Sequence, residues 1–155
     1  MSSRIQGVVW TLLKRFEDER GWLIQLFRQD QLEDKNLPVM AYASMTKPGV
    51  SRGPHEHVDQ TDLFVFFGPG VFRVYLWDNR PESPTYGQQE ILDVGQDWLA
   101  SLIVPPGVVH GYKCVSAIPG LVFNAPNRLY RGSGGQGEID EIRHESDSNS
   151  KFKIN

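Results

Sequence analysis

Apolar residues in this chain fall in short runs of strand length, cut by glycine, proline and charge, and almost nowhere at helical spacing. The run at residues 8–13 ends in the charged stretch from Lys14 to Arg20, and Gly21 then turns the chain. Further runs follow at residues 22–27, 40–45, 63–67, 71–77, 90–94, 100–104 and 120–124. Only residues 29–35 suggest a helix, of one or two turns. Gly68-Pro69-Gly70 lies between two β-rich runs and predicts a hairpin, because glycine supplies the unusual φ values. The unbroken run at 63–67 predicts a strand buried on both faces. Regular short strands with Gly/Pro turns predict an all-β sandwich or barrel. The pattern changes at Arg131, where Gly132-Ser133-Gly134-Gly135 is flexible and the stretch from Ser146 to Ser150 is small and polar. The expected organisation is a domain at 1–131 and a C-terminal arm at 132–155, partly disordered at its end.

Composition narrows the partners. A chain of 155 residues is one domain by size, and 39% hydrophobic with 23% charged residues is globular. A net charge of −3 without blocks of like charge argues against nucleic acid or an anionic membrane as partner. Cys114 is the sole cysteine, so no internal disulfide is possible and a reducing compartment fits. No apolar run has signal-peptide or bilayer-spanning character, so a soluble cytoplasmic protein is expected.

Three of the four histidines sit in two spaced patterns. Gly49 is followed, after five residues, by His55-Glu56-His57, and Pro105-Pro106-Gly107 is followed, after two, by His110. Strand alternation puts His55 and His57 on one face, and the Pro-Pro-Gly turn can bring His110 to the same cavity from a partner strand. With Asp62 they have the composition of a site for Zn²⁺, Fe²⁺, Ni²⁺ or Mn²⁺. The same histidines could instead line a polar pocket, or supply one neutral imidazole as a general base without metal. Of Arg20, Arg52 and Arg80, Arg52 stands nearest the histidine pattern and could clamp a phosphate or diphosphate. Trp22, Trp77, Phe72 and Tyr75 are expected in the core.

In order along residues 8–130 come Asp18-Glu19-Arg20-Gly21-Trp22, Arg52-Gly53-Pro54-His55, Asn79-Arg80-Pro81-Glu82-Ser83-Pro84-Thr85-Tyr86-Gly87 and Pro105-Pro106-Gly107-Val108-Val109-His110-Gly111-Tyr112. This order resembles the dTDP-4-dehydrorhamnose 3,5-epimerase family of cupins. The resemblance implies a double-stranded β-helix, or jelly roll, usually a homodimer whose N-terminal strands cross between subunits. It also implies a metal-free enzyme without a cofactor, epimerising a 4-keto nucleotide sugar by removing protons beside the ketone. His55 then matches the general base and His110 the second motif histidine, with Arg20, Arg52 and Tyr130 as substrate-binding residues.

Several positions depart from the family pattern. Phe123 stands where the family has its Tyr acid, leaving Tyr130, Tyr112, Tyr42 or water to return the proton. Asp62 stands for the cavity Lys, Met40 and Tyr42 for the amides that read thymine, and His57 for a Gln. These exchanges open two further readings: a metal-binding cupin with His55, His57, Asp62 and His110 as ligands, and a non-catalytic nucleotide-sugar binder.

Overall fold

The computed structural model describes residues 2–155. Twelve strands form two facing five-stranded sheets and one detached hairpin. They are β1 (Val9–Leu12), β2 (Arg15–Asp18), β3 (Gly21–Ile24), β4 (Tyr42–Thr46), β5 (Ser51–Glu56) and β6 (Asp62–Phe66). After them come β7 (Val71–Asp78), β8 (Gln89–Gly95), β9 (Ala100–Val104), β10 (Val108–Cys114), β11 (Gly120–Asn124) and β12 (Ile142–Arg143). One sheet runs β1-β9-β6-β11-β4 and the other β12-β5-β10-β7-β8, while β2 pairs only with β3. Every ladder is antiparallel. The chain passes repeatedly from one sheet to the other, which is the jelly-roll arrangement expected of an all-β chain of this kind.

The core lies between the sheets. Phe64 and Phe66 from β6 meet Phe72 and Leu76 from β7, with Leu102, Val104, Val108 and Val122 around them. Central strand β6 is buried at every residue, so the unbroken apolar run does mark a strand covered on both faces. Gly120 of β11 packs on Phe72 of the facing sheet: a Cβ there would fall 2.3 Å from the Phe72 ring, so only glycine fits without moving that ring.

Five expectations change. Gly68-Pro69-Gly70 does not close a hairpin, because β6 pairs with β9 and β11 while β7 pairs with β8 and β10. The turn carries the chain across from one sheet to the other. The charged residues 15–18 are themselves a strand, and the helical stretch at 29–35 is two 3₁₀ turns, Gln29–Gln31 and Asp34–Asn36. Trp22 is 54% exposed on the hairpin rather than in the core, whereas Trp77, Phe72 and Tyr75 are buried.

The fifth change concerns the site. Residues 132–155 are folded onto the domain. Strand β12 adds to the edge of β5, pairing Arg143 with His55 and Ile142 with Glu56. Phe152 is buried with Tyr75, Trp77 and Val109 in a small second core, and Tyr75 Oη donates to the Asn155 carbonyl at 2.7 Å. Composition hid this because the segment has few apolar residues, yet two of them, Phe152 and in part Ile154, are buried against β7 and β10.

Candidate functional site

The register of β5 against β10 sets the histidines side by side, with His55 opposite His110. Their ring centroids lie 4.6 Å apart, and His57, just past the end of β5, lies 5.5 Å from His55. Asp62 opens β6 on the facing sheet and points at them from the other wall. The ligand atoms of His55, His57, Asp62 and His110 all lie within 4.8 Å of one another. The sequence spacing therefore does gather all four residues.

Asp62 is 1% exposed and its two oxygens are treated differently. Oδ1 accepts hydrogen bonds from Gln60 Nε2 at 3.0 Å and Asn124 Nδ2 at 3.1 Å. Oδ2 lies 2.9 Å from His57 Nε2 and 3.2 Å from His110 Nε2. Burial alone would raise the Asp62 carboxyl, but the two imidazoles outweigh it and hold the group well below the ordinary carboxylate range. Burial likewise works to lower His57, but its contacts with the Asp62 carboxylate and with the Asp140 carbonyl override it and raise that imidazole.

His55 behaves otherwise. Burial, then the neighbouring His110 and His57, push its pKa down to about 2, so its imidazole is neutral at any physiological pH. Its Nδ1 lies 3.5 Å from Glu141 Oε1, a carboxylate brought by the C-terminal segment just before β12. Glu141 is in turn gripped by Arg143, whose Nη2 lies 2.7 Å from Oε2. Asp140 ties the same segment down, its carboxylate accepting from the backbone N–H groups of Val58, Asp59 and Gln60 at 2.7–2.8 Å.

Two cavities meet at this point. One, of about 500 Å³, is lined by His55, Tyr42, Arg128, Tyr130, Arg131 and Glu141 among others. The second, of about 460 Å³, shares Tyr42, His55, Glu141 and Arg143 and adds Arg52 and Tyr112. Arg128 and Arg131 form no ion pair among the described residues, so the first cavity holds cationic groups although the whole chain is acidic. Arg52 donates to Thr46 Oγ1 and to the Met45 carbonyl, which fixes its guanidinium at the second cavity.

Tyr42 is a phenol that lines both cavities. It stands on β4, in the sheet opposite His55, and its hydroxyl accepts from Asn124 Nδ2 at 2.8 Å. With that donor filling a lone pair, the phenol's own proton is free to point into the cavity. Burial, then the Asp62 charge, raises its pKa to about 12, so it stays protonated.

The remaining sequence candidates divide. Tyr130 lines the first cavity and Arg52 the second. Arg20 is not brought to either cavity of this chain; it sits on the β2–β3 hairpin, largely exposed, with its guanidinium on Asp18. Phe123 is also outside both, for a reason of strand parity. Gly120, Val122 and Asn124 point inward, so Leu121 and Phe123 take the opposite face of β11. Arg80 is structural: Asp78 holds it, and its side chain packs on Gly107. Glu141, Arg128, Arg131, Arg143 and Asn124 were missed because no local spacing links them to the histidines.

Comparison with known proteins agrees with this architecture. Residues 2–134 match the family model described as dTDP-4-dehydrorhamnose 3,5-epimerase. A probable low-salt glycan biosynthesis epimerase of Haloferax volcanii is 38% identical over 114 residues, covering 73% of this chain and 72% of that protein. The spore coat polysaccharide biosynthesis protein SpsL of Bacillus subtilis is 36% identical over 117 residues, covering 74% and 75%. Among solved structures, a dTDP sugar isomerase from Desulfovibrio desulfuricans superposes with a TM-score of 0.83 at 25% identity, covering 97% of this chain and 92% of that one. The chain belongs to the dTDP-4-dehydrorhamnose 3,5-epimerase family.

Proposed function

We propose that the protein epimerises a 4-keto nucleotide sugar, with His55 removing a proton from the carbon beside the ketone and Tyr42 returning one. The observation that carries this reading is the placement of His55 and Tyr42 on opposite sheets across shared cavity space. A base on one wall and an acid on the other act on opposite faces of a ring held between them. Removal from one face and return to the other inverts the carbon.

His55 is always in its neutral, proton-accepting form, since its pKa is held down at about 2. What it lacks is affinity for the incoming proton, and the Glu141 carboxylate behind Nδ1 supports the imidazolium as it forms. The oxidation state of the sugar is unchanged, so the reaction as read calls for no redox cofactor. Arg128 and Arg131 in one cavity and Arg52 in the other are the groups suited to a diphosphate.

A homodimer belongs to the same reading. The β2–β3 hairpin pairs with neither large sheet and exposes Phe16, Trp22 and Leu23. That apolar surface suits a second copy, and the hairpin would carry Arg20 towards the partner's cavity.

Tyr42→Phe tests the assignment of the acid. It is expected to reduce formation of the inverted sugar, followed by NMR, by about 10²–10⁴-fold. Substrate binding should be retained, because the ring remains. Full epimerase activity in Tyr42→Phe would remove Tyr42 from the mechanism.

A further inference from the structure

The two imidazoles beside Asp62 have their tautomers set from behind. His110 Nδ1 lies 2.9 Å from the Val108 carbonyl, and His57 Nδ1 hydrogen-bonds the Asp140 carbonyl. A carbonyl only accepts, so both Nδ1 atoms carry the hydrogen and donate it. In the neutral rings both Nε2 atoms then present lone pairs, and both face the same oxygen, Asp62 Oδ2. Lone pair faces lone pair in a place almost shut from water: Asp62 is 1%, His110 3% and His57 8% exposed.

The direct contacts do not resolve this. Among the described residues neither Asp62 Oδ2 nor His110 Nε2 makes a hydrogen bond, although the atoms are close. A proton on His57 would relieve one contact and leave the His110 contact uncompensated. One cation bound by all three atoms relieves both. Separations of 2.9 and 3.2 Å between donor atoms are also near the spacing of about 3 Å that metal bonds of roughly 2.1 Å produce at adjacent corners of an octahedron. A histidine whose far nitrogen donates to a backbone carbonyl is the usual support of a metal ligand.

We infer that His57, Asp62 and His110 form a binding site for one divalent first-row transition metal, directly beside His55. Two imidazoles and a carboxylate suit such an ion, and two of the three groups come from one sheet or its edge while the third comes from the other. Gln60, which donates to His57 Nε2 and Asp62 Oδ1, is the residue that would turn away on binding. His55 keeps the cavity side, with Glu141 behind it. The site thus adds to the proton-transfer reading without using its base.

The test is titration of the full chain, first stripped with chelator, using Co²⁺ as probe and reading visible d–d absorption and equilibrium dialysis. One equivalent is expected to bind, with affinity reduced about a hundredfold or more in Asp62→Asn, the upper end of what even an outer partner of a metal ligand is worth. His110→Asn should behave alike, and circular dichroism on both variants separates lost binding from lost folding. His55→Ala should keep one equivalent of Co²⁺ while losing proton exchange, which keeps this site distinct from the epimerase reading. Absence of stoichiometric Co²⁺ binding by the unaltered chain would overturn the inference. So would unchanged affinity in folded Asp62→Asn and His110→Asn, or a loss in His55→Ala as large as in Asp62→Asn.

Discussion

Alanine in place of His55 is expected to slow proton exchange and epimerisation of a 4-keto nucleotide sugar by about 10²–10⁴-fold, the usual worth of a positioned general base. The effect should fall on kcat with KM little changed, because the diphosphate is assigned to arginines and not to this imidazole. The fold should survive. His55 is on β5, which stays paired with β10 and β12 through backbone groups that the substitution leaves intact. Circular dichroism and thermal melting check that point, and steady-state kinetics check the rest. A variant that is folded and still exchanges protons at the original rate would show that another group is the base.

Asp78→Ala is expected to cause the largest loss of stability, about 3–5 kcal/mol, although Asp78 touches neither cavity. Its buried carboxylate accepts from Arg80 Nε at 2.7 Å, Arg80 Nη2 at 2.9 Å, Ser83 Oγ at 2.5 Å and Thr85 Oγ1 at 2.5 Å. Arg80 then reaches the Gln6 carbonyl and packs along Gly107, three residues before His110. Removing the carboxylate leaves a partly buried guanidinium and two hydroxyls without their acceptor. That loss is a large share of the roughly 5–15 kcal/mol that holds a typical domain together.

The pH dependence has a definite sign. Burial would raise the Asp78 carboxyl, but Arg80, Ser83 and Thr85 together hold it well below its ordinary value. Its folded pKa is therefore lower than its unfolded value of about 3.9, so its contribution is fully present above that pH. It is lost as the pH falls from there towards the folded pKa. Denaturant melts should show a gap between the original protein and Asp78→Ala that is constant from neutral pH to about 5 and narrows below about 4. A gap independent of pH would mean that the carboxylate's charge is not what the loop depends on.

Much of this was readable from residue order, and the exceptions share a cause. Strands such as β6, β7 and β9 declare themselves because burial on one or both faces leaves an apolar run. The histidines declare themselves because a strand of alternating residues and a Pro-Pro-Gly turn fix their relative positions within a few residues. Strand β2 gives no such sign: Arg15, Glu17 and Asp18 are exposed, and only pairing with β3 makes it a strand. Gly68-Pro69-Gly70 was read as a hairpin because the local turn chemistry is the same whether the chain returns to its own sheet or crosses to the other.

The site shows the same division more sharply. Glu141 and Arg143 stand more than eighty residues from His55 in the chain and reach it only through the pairing of β12 with β5. A segment rich in glycine and serine reads as loose when its few anchors, Asp140, Ile142 and Phe152, find partners far away. Phe123 shows how narrow the margin is. Counting residues from His110 finds the right strand, but one step of parity separates Phe123 on the outer face from Asn124, which touches both Asp62 and Tyr42. The family's acid position thus falls on the outer face of β11, while Tyr42, one of the phenols left open by the sequence, lines both cavities from β4.

The most direct test of the account is mass spectrometry of a dTDP-linked 4-keto-6-deoxy sugar after incubation with the unaltered protein in heavy water. One or two deuterium atoms should be gained per sugar at the carbons flanking the ketone, at a rate that falls with the His55→Ala change. A sugar that binds but gains no deuterium above the uncatalysed background would contradict it and leave a binding protein with the fold of an epimerase.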